Sequence, residues 1–175
     1  MPDQPVPASD AQLPDPQLPD PQLPDVEPVV GYTEGVFDLF HVGHLDLLRS
    51  AAAGCDRLVV GVLDDALAEQ VAGRPPYVPA DERRAVVEAV REVWTVTAVS
   101  DGDLAGTRDR TGFTVLFRHG GPVSPAAAGQ AAAGQAGGGQ AGGGLRVVEL
   151  PRPRETTSSV LRAALTADLA ATAEV

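Results

Sequence analysis

In this 175-residue chain, the run Gly35-Val36-Phe37-Asp38-Leu39-Phe40-His41-Val42-Gly43-His44 holds the residue types most able to do chemistry. Two histidines flank Gly43 behind a Phe-Asp pair, directly after an apolar segment. That layout suits a strand end feeding a helix N-terminus, where free backbone N–H groups and the helix dipole favour a phosphate. Two imidazoles on one turn can donate hydrogen bonds to phosphate oxygens as negative charge builds there. Gly35 lets the backbone approach a phosphate closely, with Val36 and Phe37 next on the turn. Asp38 reads either as an acceptor at the helix start or as a direct contact to a ligand. Zinc is the rival for the histidines. One cysteine, Cys55, and one further histidine, His119, make a poor ligand set, so no protein metal site is expected.

A second informative stretch runs from Arg152 to Arg162 and includes Thr157-Ser158-Ser159. Hydroxyls at a helix start, with an arginine a few residues upstream, can hold phosphate oxygens through hydroxyls, N–H groups and a guanidinium fork.

These residues need elements to position them. Val29 to Tyr32 reads as a short buried strand. Val42 to Ala53 reads as a helix with Leu45, Leu48 and Ala52 on one face and Gly54 at its C-terminal cap. Arg57 to Leu63 is a continuous apolar run, as in a parallel sheet covered on both faces. Asp64-Asp65 can cap a short helix through Val71, and Gly73 to Pro79 is a loop. Ala80 to Arg91 reads as a helix with Val86, Val87 and Val90 inward and Glu82, Arg83, Glu88 and Arg91 mostly outward. Val93 to Val99, Phe113 to Phe117 and Arg146 to Leu150 read as strands, and Thr157 to Ala170 as a closing helix. The stretch from Asp101 to Gly112 reads as short and polar. Strands alternating with helices argue an α/β domain with a parallel sheet, whose ligands sit beyond the carboxyl ends of the strands.

Residues 1–28 repeat Gln-Leu-Pro-Asp-Pro, and proline at that density blocks helix, so the segment reads as a disordered tail. Residues 122–145 contain an Ala/Gly/Gln repeat that reads as a flexible loop, with a frayed helical turn at most in its Ala-rich half. The remainder, 29–170, reads as one domain around one core. The net charge is −11, and all 13 basic residues are arginine. A chain this acidic is unsuited to generic nucleic-acid binding; a small anion would need a local cluster of arginines. Cys55 is alone and reads as a small core residue. No apolar run is long enough to span a bilayer and no secretory signal is visible, which sets a cytoplasmic, non-membrane protein as the expectation.

The Gly35–His44 run resembles the G-x-F-D-x-x-H-x-G-H signature of the cytidylyltransferase-like nucleotidyltransferases, closest to the glycerol-3-phosphate cytidylyltransferase group. The likeness covers Val29 to Val99, is poor beyond, and resumes from Leu145 to Leu165. It implies a Rossmann-like doubly wound parallel sheet. It also implies transfer of a nucleotidyl group from CTP to a phosphorylated small alcohol such as glycerol 3-phosphate, releasing pyrophosphate, with Mg²⁺ on the triphosphate. Family members are commonly homodimers. By the resemblance, His41 and His44 are catalytic, and Arg152, Thr157, Ser158 and Ser159 hold the pyrophosphate. Pro79-Ala80-Asp81-Glu82-Arg83 is similar to the family's Pro-x-x-Glu-Arg, which would turn Arg83 toward the substrate. The family's preceding lysine has Arg74 as its only stand-in. Arg118-His119-Gly120-Gly121-Pro122 stands where family members carry Lys-Gly-Asp-Asp-Trp, which makes Arg118 a candidate contact and leaves base recognition without its usual residues. An adenylyltransferase of the same superfamily using ATP, or a non-catalytic member binding a ligand or partner, stays open.

Overall fold

The computed structural model of the protein describes residues 27–121, 123–134, 144–151 and 158–173. Eleven elements follow in order: β1 (Val30–Gly35), α1 (Val42–Ala52), β2 (Arg57–Leu63), α2 (Asp65–Ala72), α3 (Ala80–Glu88), β3 (Thr95–Val99), α4 (Leu104–Thr111), β4 (Val115–Arg118), α5 (Pro125–Gly134), β5 (Arg146–Glu149) and α6 (Ser158–Ala173). The five strands form one parallel sheet in the order β3-β2-β1-β4-β5. This is the doubly wound, Rossmann-like α/β arrangement expected from the sequence. Its strand order reverses between β1 and β4, so their carboxyl ends open the crevice where such sheets take ligands.

Each face of the sheet carries its own core. On one face Leu47, Leu48 and Ala51 of α1 and Val87 of α3 pack on Leu58, Val60, Val62, Val115 and Phe117. On the other, Leu104 of α4 joins Tyr32, Val59, Phe113, Leu116 and Leu145, with Ala126 of α5 against them. Strand β2 feeds both cores, which is why it reads as an unbroken apolar run. The Tyr32 ring stacks on Phe113 with centroids 4.7 Å apart and lies against Gly61, where a Cβ would collide with it.

Several elements differ from the sequence reading, each for a physical reason. Strand β1 continues past Tyr32 through Thr33 and Glu34 to Gly35. Both polar residues are buried, and Glu34 is accommodated because its carboxylate accepts from Tyr32 O–H and from Ser124 N, each at 2.7 Å. Burial, with Glu34 beside it, pushes the Tyr32 phenol up, so it stays a donor. Helix α3 ends at Glu88; Val87 and Val90 pack inward as expected, but Arg83 is buried and Val86 exposed. Gly54 is not a left-handed cap; a Cβ there would strike the Phe117 ring at 2.8 Å.

The polar Asp101–Gly112 stretch contains a true helix, α4, capped by Asp103 accepting from Gly106 N at 2.9 Å and closed by Gly112 in the left-handed region. Residues 125–134, read as loop, form helix α5. Ser124 Oγ accepts from Ala127 N, Pro125 opens the first turn, and the alanines supply propensity. Pro122 and residues 135–143 of that segment lie outside the described residues, as does the proline-rich segment 1–26. Among the described residues no helix is long and apolar enough to cross a membrane.

Candidate active site

Strand β1 delivers the chain to the centre of the sheet's carboxyl edge, and α1 begins seven residues later. The turn between them is strained: Phe37 and Leu39 both take positive φ, 54° and 49°. For residues with a Cβ this costs on the order of 1–3 kcal/mol each and persists only where surroundings enforce it. Two enforcers are visible. The Phe37 ring is buried in the α1 core. Asp38, also buried, accepts from Tyr77 N and Val78 N on Oδ1, both at 3.0 Å, and from Arg162 Nη1 on Oδ2 at 3.1 Å. Asp38 is therefore not the helix-start acceptor; that place belongs to His41.

His41 is the N-cap of α1. Its Nδ1 accepts from Gly43 N at 3.0 Å, and its carbonyl accepts from His44 N and Leu45 N. The free N–H groups expected for a phosphate at this helix start are thus largely spent on His41. What remains for an anion is the helix dipole and the imidazoles. With Nδ1 accepting, the neutral ring carries its proton on Nε2, which lies 3.3 Å from Ser158 Oγ. Ser158 Oγ in turn donates to the Asp38 carbonyl at 2.9 Å, so its lone pair faces His41.

The His44 ring stacks on His41 with centroids 4.0 Å apart and contacts the Phe37 and Phe40 rings at 5.3 and 5.4 Å. Burial pushes His44 down to about 3, with the charges of His41, His119 and Arg162 adding to it. Burial also lowers His41. Both imidazoles are neutral at neutral pH, and His44 Nδ1 is buried without a hydrogen-bond partner.

Gly35 is buried, the Phe37 ring is buried, and Val36 packs against the Leu63, Leu67 and Val99 cluster. A Cβ on Gly35 would meet the Phe37 ring at 3.3 Å and His119 Nε2 at 3.5 Å. The Val36 carbonyl accepts from Arg83 Nη1. Arg83, expected to reach toward a substrate, is spent on the protein: Nε donates to Val78 O at 2.8 Å, Nη1 also to Leu63 O at 2.8 Å, and Nη2 to Asp65 Oδ1 at 2.7 Å. It ties the ends of β1 and β2 to the 73–79 loop and supports the site from below. Arg118 pairs with Glu149 Oε1 at 2.7 Å, and alternation along β4 puts it on the Leu116 face, away from α1. His119 spans the crevice, with Nδ1 accepting from Gly121 N at 3.0 Å and Nε2 donating to the Glu34 carbonyl at 3.1 Å.

Helix α6 brings Ser158 to the histidines, while Ser159 is exposed beside it. Arg152 and Thr157 lie outside the described residues. Arg162 is the site residue that sequence reading missed. Burial lowers its pKa, with the like charge of Arg74 adding to the shift. Its signal was available: Ser158 and Arg162 are four apart and share a helix face. The cluster thus sets Arg74 and Arg162 against a single carboxylate beside two neutral imidazoles, an arrangement that favours an anion.

A family model described as cytidylyltransferase-like matches residues 32–130, which include both strands of the crevice and the whole β1–α1 turn. The chain belongs to the cytidylyltransferase-like family. Relatives in this family include an ethanolamine-phosphate cytidylyltransferase of Arabidopsis thaliana, 43% identical over 84 residues, or 47% of this chain and 19% of the relative. A bifunctional protein HldE of Gluconacetobacter diazotrophicus is 41% identical over 73 residues, 41% of this chain and 15% of the relative. The match therefore spans under a fifth of these relatives' length. In fold, the chain is similar to a lipopolysaccharide core biosynthesis protein of Thermoplasma volcanium (TM-score 0.60, 21% identity, 73% of this chain and 99% of that one).

Proposed function

We propose that the protein is a nucleotidyltransferase that joins a phosphorylated small alcohol to a nucleoside triphosphate and releases pyrophosphate. CTP is the favoured nucleotide, in keeping with the family and with the relative named for ethanolamine phosphate. The acceptor class covers polyol and amino-alcohol phosphates, glycerol 3-phosphate among them. One observation carries the reading: two stacked, neutral histidines at the carboxyl end of the central strand, beside the point where strand order reverses.

The acceptor phosphate attacks the α-phosphorus in line. The new P–O bond forms as the bond to the β-phosphate's bridging oxygen breaks, and no enzyme intermediate is needed. His41 Nε2–H points at the site as a ready donor, with Ser158 as its resting partner. A phosphate arriving beside the stacked rings opposes the effect of burial, because negative charge favours protonated imidazole. Charge building on the bridging and non-bridging oxygens thereby meets preorganised donors. Arg162 and Arg74, with Ser158, Ser159, Thr157 and Arg152, would hold the outgoing pyrophosphate. Mg²⁺ would enter on the triphosphate. Among the described residues no cluster of three metal-ligating side chains exists, and both Asp38 oxygens already accept N–H donors. The ion's ligands would come from nucleotide and water.

The test is pyrophosphate release by the purified chain with Mg²⁺, pairing CTP and ATP with a panel of phosphorylated alcohols. Release with CTP that falls about 10²-fold in His44→Ala is the expected result. Release with ATP alone makes the protein an adenylyltransferase. Nucleotide binding without release from any pair makes it a binding protein.

A further inference from the structure

Asp38 gathers four hydrogen-bond partners, and they come from two parts of the chain far apart in sequence. Its Oδ1 takes two backbone N–H groups of the 73–79 loop, its Oδ2 takes Arg162 of α6, and its carbonyl takes Ser158, one helical turn earlier. The side chain is 1% exposed, so the carboxylate has no water to fall back on. It sits between the two positive-φ residues of the turn that ends in His41. A third α6 contact, Thr166 to Tyr77 O–H at 3.5 Å, continues the same stripe at four-residue spacing. These α6 contacts to the loops are polar, and the Val160 and Leu165 side chains are exposed.

We infer that Asp38 is a positioning residue for the transfer site. It touches neither nucleotide nor acceptor. It locks the strained turn so that His41 Nε2 faces the crevice, seats the 73–79 loop that carries Arg74, and aims Arg162 along α6 toward the same space. One buried carboxylate thereby sets the relative placement of three groups that must act on one phosphate chain. Asp38 is the countercharge of Arg162, whose side chain is largely buried beside it. The geometry stands in the ligand-free protein; only its catalytic consequence rests on the proposed function.

The experiment uses the full chain with Asp38→Asn, Asp38→Ala and the pair Asp38→Asn with Arg162→Gln. Amide exchange at Tyr77 and Val78 is read without ligand, and kcat and KM are read with the active nucleotide–acceptor pair. Asp38→Ala should lose protection at both amides by at least about tenfold. Its kcat should fall about 10²-fold, as expected for misplacement of groups by roughly an ångström. Asp38→Asn keeps an Oδ1 acceptor for the amides but turns N–H toward Arg162, so protection should hold while kcat falls. Adding Arg162→Gln rebuilds a neutral N–H···O pair and should restore the melting temperature lost in Asp38→Asn, while kcat stays low because Arg162 itself is proposed to hold the pyrophosphate. The inference is overturned if Asp38→Ala leaves Tyr77 and Val78 protected. It is equally overturned if either single variant raises the acceptor KM with kcat intact, since Asp38 would then be a ligand contact. Should no pair be turned over, the exchange data still decide the locking role, and the proposed function fails separately.

Discussion

Each ring nitrogen of His41 has its own partner, and the two can be separated by substitution. Nδ1 caps α1 through Gly43 N, and Nε2 faces Ser158 and the crevice. Asparagine is a good N-cap but has no group where Nε2 stands. His41→Asn is expected to melt within about 1 kcal/mol of wild type and to lose transfer about 10²-fold. His41→Ala should lose activity similarly and about 1 kcal/mol of stability besides. Thermal melts beside the pyrophosphate assay separate cap from chemistry; an active His41→Asn would remove Nε2 from the mechanism. His44 has no capping role, and its Nδ1 lacks a partner. A bound phosphate that draws a proton onto the histidine pair should therefore raise the apparent pKa of both rings, visible as a shift in their titration when nucleotide is added.

At the scale of elements, Arg83 decides how the loops meet the sheet. Its guanidinium bonds the carbonyls of Val36, Leu63 and Val78, which belong to the ends of β1 and β2 and to the loop before α3. Removing it leaves three carbonyls unsatisfied, each costing about 1–3 kcal/mol where buried. Arg83→Met should therefore destabilise the fold by about 3 kcal/mol or more in denaturant titration. Arg83→Lys should not recover it, because an ammonium cannot span a fork of that shape. A stable Arg83→Met would return the arginine to the ligand-facing role that its sequence context suggested. Strand β2 offers a second check. Gly61→Val would drive a side chain into the Tyr32 ring and the Val99 methyl, and should cost about 1–3 kcal/mol as overpacking.

For the whole molecule, the three histidines link stability to pH. His41, His44 and His119 are all lowered in the folded state, chiefly by burial. Between the folded value of about 3 for His44 and its unfolded value of 6.5, the unfolded chain binds more protons. Stability therefore rises with pH across that window and is lost on acidification. His44 alone contributes about 3 kcal/mol between pH 6.5 and 4. Melting temperature should fall steadily over that range, and His44→Gln should flatten the slope. Much of this architecture was legible in the linear chain. The alternation of strands and helices, the Gly35–His44 signature, the α1 start at Val42 and the Asp64 cap all rest on local periodicity and spacing, which a sequence carries. Tertiary structure decided the rest, because burial and long-range partners have no local mark. Glu34 is a polar letter inside a strand, made tolerable by Tyr32 and by Ser124, ninety positions away. Arg83 looks like a solvated helix face until three distant carbonyls surround it. Asp38 and Arg162, 124 positions apart, meet only when α6 closes over the turn. The sequence by itself determined which residues could handle a phosphate; only the folded sheet decided which of them face one another, since a crevice exists only where separate strands end side by side.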